Sequence, residues 1–435
     1  MATKKGGTKT KGATGASLAS STVEEMLLAA LERGDDSFET GRYLVTFKEG
    51  AAEEGMQSLG AQGMRVADAR EYTDQAVTLE SVGDADAVAF PEIGVALLGG
   101  DAAQARGMSA QMEGATDSPI ESIDPEHFMF AVSTPAEYLH GFLRAAETIA
   151  KDLLEGGLEQ AGTEVDVQVL GATWGLIACK VPPSARSGLG IKVAVLDTGF
   201  DLGHPDFVGR PITSQTFVGQ PVQDLHGHGT HTTGTATGPK TPAGTTPRYG
   251  IGFRASIFSG KVLSNSGSGT QAGVLAGMNW AVANRCPVIS MSLGAQIGVQ
   301  PAYTAAGQAA LNNGCLIIAA AGNAGGATGA PANSPTIMSV ASLDKNLSPS
   351  SFSNFGKIEI AGPGRDVFSS WPRPVRYNTI SGTSMATPHV AGCAALWAET
   401  SAALRGINLW RKLQASARHL PFPPARVGSG LVQAP

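Results

Sequence analysis

The chain has 435 residues, 42% of them hydrophobic and 16% charged, with a formal net charge of −6 at pH 7. That length exceeds one ordinary core and suggests two or three units. The composition is that of a folded protein, and the acidic balance argues against a nucleic-acid backbone as partner. Cysteines 179, 286, 315 and 393 form neither a CxxC pair nor a dense framework, so they read as free core thiols rather than a zinc ribbon or a disulfide scaffold.

Residues 1–40 read as a tail with one short helix. The first twenty residues carry four lysines and no apolar stretch behind them, so no Sec signal peptide is expected. The expected location is therefore the cytoplasm in which the chain is made, with any export by a non-Sec route. No run reaches the ~18 apolar residues of a membrane span. From Ser21 to Gly34 a capping box of Ser21 with Glu24 opens an amphipathic helix, whose apolar stripe is expected to cover the neighbouring domain.

Residues 41–132 read as a small α+β domain of order βαββαβ. Strands are expected at Tyr43 to Lys48, Met64 to Ala67, Ile93 to Leu98 and Glu126 to Phe130, with helices near Ala51 to Leu59 and at Asp101 to Met112. Residues 133–173 form a helical linker, in which Thr134, Pro135 and Glu137 start a helix that Gly156-Gly157 stops. In residues 174–435 the apolar runs IKVAVLD, SIFSGKVL, VISMSL, CLIIAAA and IMSVASL alternate with helical stretches. This is the pattern of an α/β domain with a parallel sheet covered on both faces, whose ligands bind beyond the carboxyl ends of its strands.

Polar motifs sit at those ends. Asp197 ends VAVLDTG; DTG also marks aspartic proteases, but the second such carboxylate they need is absent. His228 lies in LHGHGTHTTGTATG, ahead of a helix of tiny residues. His226, His228 and His231 have the HxHxxH spacing of a zinc site, without a carboxylate or cysteine partner. Ser384 opens a small-faced helix in SGTSMATPHVAGCAALW, where helix-start amides favour developing negative charge; Ala386 spoils a GxSxG elbow. Asn323 ends LIIAAAGN, where its amide can donate to an oxyanion or simply form a turn. An acid, a His, an Asn and a Ser thus each occupy a separate strand-end or helix-start position of one sheet, in the chain order Asp, His, Ser.

Together VLDTG, HGTH, SLG, AAAGN and GTSMATPHVAG resemble the subtilase family from about Trp174 to the C-terminus. The resemblance implies a serine endopeptidase in which Asp197, His228 and Ser384 form the catalytic triad and Asn323 contributes to the oxyanion hole. Gly267, Ser268 and Gly269 would form one wall of the peptide cleft and Ser292, Leu293 and Gly294 the other, with a substrate strand added between them. His231 and His389 fall on positions with structural roles, and His226 is additional. Residues 41–132 resemble, more loosely, the inhibitor-type propeptides of subtilases, so the expected partners are a polypeptide substrate and the chain's own front domain. No cofactor is expected to be required. The loop GPKTPAGTTPRYG lacks Asp, Glu and Asn, so the family's usual calcium loop looks absent, although Asp206 remains a candidate calcium ligand. The competing readings are a catalytically silent, peptide-binding pseudoprotease and a metal-dependent hydrolase.

Overall fold

The computed structural model describes residues 22–32, 38–72, 82, 85–100, 118–131 and 171–435. The helices expected at 101–112 and 134–157, with Ser21 and the lysine-rich tail, lie outside the described residues.

Helix α1 (Val23–Glu32) starts one residue later than its sequence suggests. Thr22 and Glu25 form the reciprocal cap: Glu25 N–H donates to Thr22 Oγ1 at 3.2 Å and Thr22 N–H to Glu25 Oε2 at 2.9 Å. Glu24 is thereby released from the helix end.

The front sheet is built from β1 (Glu39–Phe47), β2 (Val66–Asp68), β3 (Ala87–Phe90), β4 (Val95–Leu98) and β5 (Ile120–Phe130), with α2 (Ala52–Ala61) between β1 and β2. Its order is β2-β3-β4-β1-β5, and β1 runs antiparallel to both β4 and β5. Two expectations need correction. Residues 66–68 form only an edge strand, and β4 pairs antiparallel on its other side with a strand absent from the sequence expectations, β3. Pro91 and Gly94, the latter at φ +67°, break the apolar run DAVAFPEIGVALL into a hairpin, whereas a four-residue buried strand shows no alternation to betray it.

After α3 (Trp174–Ala178) come β6 (Lys192–Asp197), β7 (Ile212–Thr216), α4 (His228–Thr237), β8 (Ser256–Lys261), β9 (Ser268–Thr270), α5 (Gln271–Ala283) and β10 (Val288–Met291). The chain continues through α6 (Pro301–Asn312), β11 (Leu316–Ala320), β12 (Met338–Leu343), β13 (Ile360–Pro363), the β14 (Val367–Ser370) and β15 (Tyr377–Ile380) ribbon, α7 (Thr383–Thr400) and α8 (Gly406–Ser416). The seven-stranded sheet has the order β13-β12-β11-β10-β6-β8-β7, with every pairing parallel. The five strands read from apolar runs are its interior; the edges β7 and β13, ITSQT and IAGP, lack such runs. Successive strand residues serve opposite faces. Ala194, Leu196, Ile289, Met291, Ile317 and Ala319 pack with α5 and α6, while Val193, Val195, Val288, Leu316 and Ile318 pack with α7 and α8. All four cysteines are buried free thiols, and burial pushes Cys286 up to about 12 and Cys315 to about 11, so those two stay protonated.

β9 pairs antiparallel with β5 as the sixth strand of the front sheet, so that sheet extends directly into the catalytic half. Glu126, fully buried on β5, ties this junction: its carboxylate accepts from Arg42 Nε at 2.6 Å, Thr40 Oγ1 at 2.5 Å and the α5 amide of Ala272 at 2.9 Å. A negative charge at the start of α5 also suits the helix dipole. Glu126→Ala would leave the Arg42 charge buried without its partner. The expected loss is roughly 3–5 kcal/mol of stability in the front sheet, read by amide exchange at β1 and β5 in the intact chain. A loss under about 1 kcal/mol would show that Glu126 does not hold the junction.

Candidate active site

Each candidate residue sits where strand meets helix at the carboxyl edge of the parallel sheet. Asp197 is the last residue of β6 and fully buried. Its Oδ1 accepts from Thr198 N–H and from His228 Nδ1, both at 2.7 Å, and its Oδ2 accepts from Thr232 Oγ1 at 3.1 Å. Accepting at Nδ1–H fixes the imidazole as the tautomer with its other nitrogen free to act as a base. Burial pushes His228 down, but the Asp197 charge and hydrogen bond, helped by Asp224, outweigh it and raise the pKa above 6.5.

His228 begins α4, and the residue before it must be glycine. Gly227 has φ +101°, and a Cβ there would lie 2.3 Å from the Trp371 ring. The loop leading in is held by Asp224, which sequence reading did not single out. Its carboxylate accepts from the amides of His226, Gly227 and Thr230 and from the hydroxyls of Thr198 and Thr230, all within 3.0 Å. An Asp a few residues ahead of a helix start was the available signal, passed over beside three histidines. Lys261 was missed as well. Burial lowers its pKa to about 8, against the pull of Asp224 and Asp197, and its Nζ donates to the Thr198 carbonyl and to Asn265 Oδ1.

Ser384 lies in the first turn of α7 and is nearly buried. Pro388, four residues on, has no N–H to give to the Ser384 carbonyl, which instead accepts from Ser292 Oγ at 2.7 Å. The Ser384 hydroxyl donates back to the Ser292 carbonyl at 3.2 Å. Asn323 follows β11, and its Oδ1 accepts from Thr383 N–H and Oγ1 at 2.8 Å each, which orients the amide. A Cβ built on Gly382 would lie 3.2 Å from Asn323 Nδ2 and 3.6 Å from Ser384 N, so the two donors flank one point.

Ser292, Leu293 and Gly294 follow β10, and Gly267, Ser268 and Gly269 lie at β9. Between them runs the end of β5. Phe130 exchanges backbone hydrogen bonds with Gly294 at 3.0 and 3.1 Å, Ala131 N–H donates to Gly267 O at 2.8 Å, and Met129 pairs with Gly269. Ser384 lines the same small pocket as Phe130 and Ala131, whose other walls include Ala320, Ala321, Gly322 and Ala330; its lining has no charged residue.

The remaining histidines do not converge as the HxHxxH spacing would require. His231 is bonded to the Val367 carbonyl at 2.9 Å and His389 to that of Met385 at 2.8 Å, and burial lowers them to about 3 and about 4. His226 stands 6.1 Å, ring to ring, from His228, and burial and the charge of His228 lower its pKa. Among the described residues no group of three or more His, Cys, Asp or Glu could hold a metal ion. Asp206, the candidate calcium ligand, belongs to no such group, and its Oδ2 accepts from the Tyr249 hydroxyl at 2.6 Å and the Tyr377 hydroxyl at 3.1 Å.

Residues 188–429, more than half of the chain, match the Subtilase family. Alkaline serine protease ver112 of Corniculantispora psalliotae is 40% identical over 248 residues, 52% of this chain and 61% of that protein. The cuticle-degrading protease of Metarhizium anisopliae is 37% identical over 329 residues, 68% of this chain and 82% of that protein. The crystal structure of a cold-adapted subtilisin-like serine proteinase superposes with a TM-score of 0.54 at 34% identity, covering 61% of this chain and 98% of the other. On this evidence the chain belongs to the subtilase family and is a subtilisin-like serine endopeptidase, a hydrolase.

Proposed function

We propose that this subtilase cuts peptide bonds with Asp197, His228 and Ser384 through an acyl-enzyme, and that it is made as a zymogen inhibited by its own residues 41–132. The observation that carries the reading is the position of residues 128–131, hydrogen-bonded to both groove edges beside Ser384, with the Asp197–His228 pair already 2.7 Å apart. In this reading residues 1–40 are a tail and helix, 133–173 a linker and 174–435 the peptidase.

In the reaction the Ser384 hydroxyl turns from the Ser292 carbonyl to His228, which takes its proton as the oxygen bonds to the scissile carbon. Asp197 keeps the tautomer and balances the imidazolium. Asn323 Nδ2 and Ser384 N–H receive the oxyanion, each contributing roughly a hundredfold to a thousandfold, the magnitude known for such donors in subtilisin-type enzymes. His228 then returns the proton to the leaving amine, the C–N bond breaks, and water repeats the sequence on the ester. No step calls for a cofactor. The uncharged pocket beside Ser384 suits an apolar side chain.

The register of residues 128–131 supports a self-cleavage close behind them. Phe130 exchanges backbone hydrogen bonds with Gly294, and the Ser292 carbonyl, two residues back along that groove edge, accepts from the Ser384 hydroxyl, so the cut is expected just past residue 131. The bond after Val132 is the expected cut. Mass spectrometry of the purified chain should find a fragment ending at Val132, and Ser384→Ala should stay intact, take up no serine-directed probe and lose about a millionfold in turnover. Activity within tenfold of the unchanged enzyme would exclude Ser384 as the nucleophile.

His228 works only when neutral, so activity is lost as pH falls through its pKa, which Asp197 raises above 6.5. The kcat/KM of the matured enzyme should therefore rise with pH along a limb centred above 6.5. Asp197→Asn should move that limb down and cut kcat by about 10⁴-fold; an unmoved limb would remove Asp197 from the triad.

With Asp206 engaged by two tyrosines, excess chelator is expected to leave both hydrolysis and the thermal midpoint unchanged. A fall in either would reveal a metal dependence.

A further inference from the structure

The strand in the groove has two faces, and only one belongs to the protease. Met129 and Ala131 point into the apolar cluster that contains Leu263 and Leu293, as alternate residues of a bound peptide should. Phe128 and Phe130 point the other way, where an ordinary substrate would present its side chains to water. Here they are 0% and 2% exposed, because α1 lies over them. Val23, Leu27 and Ala30 of α1 form one cluster with Phe128 and Phe130, joined by Met26 and Phe38. Phe38 meets Phe130 edge-on at 6.2 Å, and its carbonyl accepts from Phe128 N–H at 3.0 Å. Helix α1 also reaches past the strand to the rim of the protease itself. Glu24 Oε1 accepts from Ser266 Oγ at 2.9 Å, and Ser266 is in turn bonded to Ser264 and Ser268 along the groove edge.

We propose that α1 is a latch: it clamps residues 128–131 into the groove from outside, so that the cut chain stays inhibited until α1 itself is removed or displaced. This rests on the zymogen reading above. Cutting after Val132 would sever the strand but disturb neither the cluster on α1 nor the Glu24–Ser266 bond. Within the cut fragment the cluster keeps α1 seated on the strand, so the Glu24–Ser266 bond adds a hold on the groove rim to the strand's own hydrogen bonds, and the inhibitor leaves slowly. Proteolysis or displacement of the residues ahead of β1 would expose Phe128 and Phe130 to water and weaken the hold without touching any group of the triad.

The test uses the full-length chain and a fluorogenic peptide, with the lag before full activity as readout, in parallel with gel analysis of the cut. Leu27→Asp, which puts a charge into the cluster, should shorten the lag at least tenfold, and Glu24→Ala should shorten it severalfold. In both, the first cut should keep its rate and the fully activated enzyme its kcat/KM. Met129→Asp, on the groove face, serves as the control for the zymogen reading. If Met129→Asp shortens the lag and neither α1 variant does, the latch is overturned while the zymogen stands. If the unchanged chain shows no lag, both are overturned. Deleting residues 1–33 gives a second, fold-independent check, since a lag equal to that of the unchanged chain would again overturn the latch.

Discussion

Everything in this molecule that bears on control depends on one set of backbone hydrogen bonds, those joining residues 128–131 to Gly267, Gly269 and Gly294. A peptide strand carries donors and acceptors that cannot be left bare in a closed groove, and the two edges supply their partners regardless of side chain. The same edges must therefore serve any substrate and the chain's own strand. In the proposed zymogen reading latency is a matter of competition: an intramolecular strand, already ordered by β1 and anchored by Glu126 at α5, occupies the groove at an effective concentration set by the chain itself. Seating α1 on the outer face of that strand adds to the same competition, because α1 also reaches Ser266 at the groove rim through Glu24.

The catalytic half solves a different problem, that of keeping charge in a dry place. Asp197 and Asp224 are both fully buried, and between them they accept from backbone amides, threonine hydroxyls and His228, with the Lys261 ammonium nearby. Such a set is stable only when every oxygen is satisfied. The consequence is rigidity. The His228 ring is held by a carboxylate that cannot move without breaking two other bonds, and the helix it starts is pinned by the second carboxylate. A base fixed in tautomer and direction needs little reorganisation when the proton arrives.

How far this could be read from the sequence follows from the nature of each signal. The five interior strands declared themselves because a strand buried on both faces is a continuous apolar run, whereas β7 and β13 at the edges carry no such run. Asp197, His228, Asn323 and Ser384 were legible because each follows or precedes a strong element boundary, and the structure brings all four to one edge. The β3–β4 hairpin was not, since Pro91 and Gly94 sit inside what reads as a single apolar stretch. Asp224 and Lys261 were invisible for another reason: their importance lies in partners far along the chain, Thr198 and Thr230 for one and Thr198 and Asn265 for the other. The cap of α1 was displaced by one residue, a small error in position that hides the free carboxylate of Glu24 and with it the contact to Ser266.

The setting of Ser384 shows how a local rule of chain geometry becomes a functional one. A proline in the second turn of a helix removes one donor, and the carbonyl thus released is that of the residue four positions earlier. In α7 that carbonyl belongs to Ser384, and Ser292 claims it. Ser292 stands at the head of the groove edge that ends at Gly294, so Ser384 is tied directly to the segment that borders the groove. The reactive carbon of whatever lies in the groove is therefore positioned relative to Ser384 by one short, doubly hydrogen-bonded link, with no flexible loop in between. Positioning of that kind converts binding into rate, since a displacement of an ångström at the reacting atoms is costly.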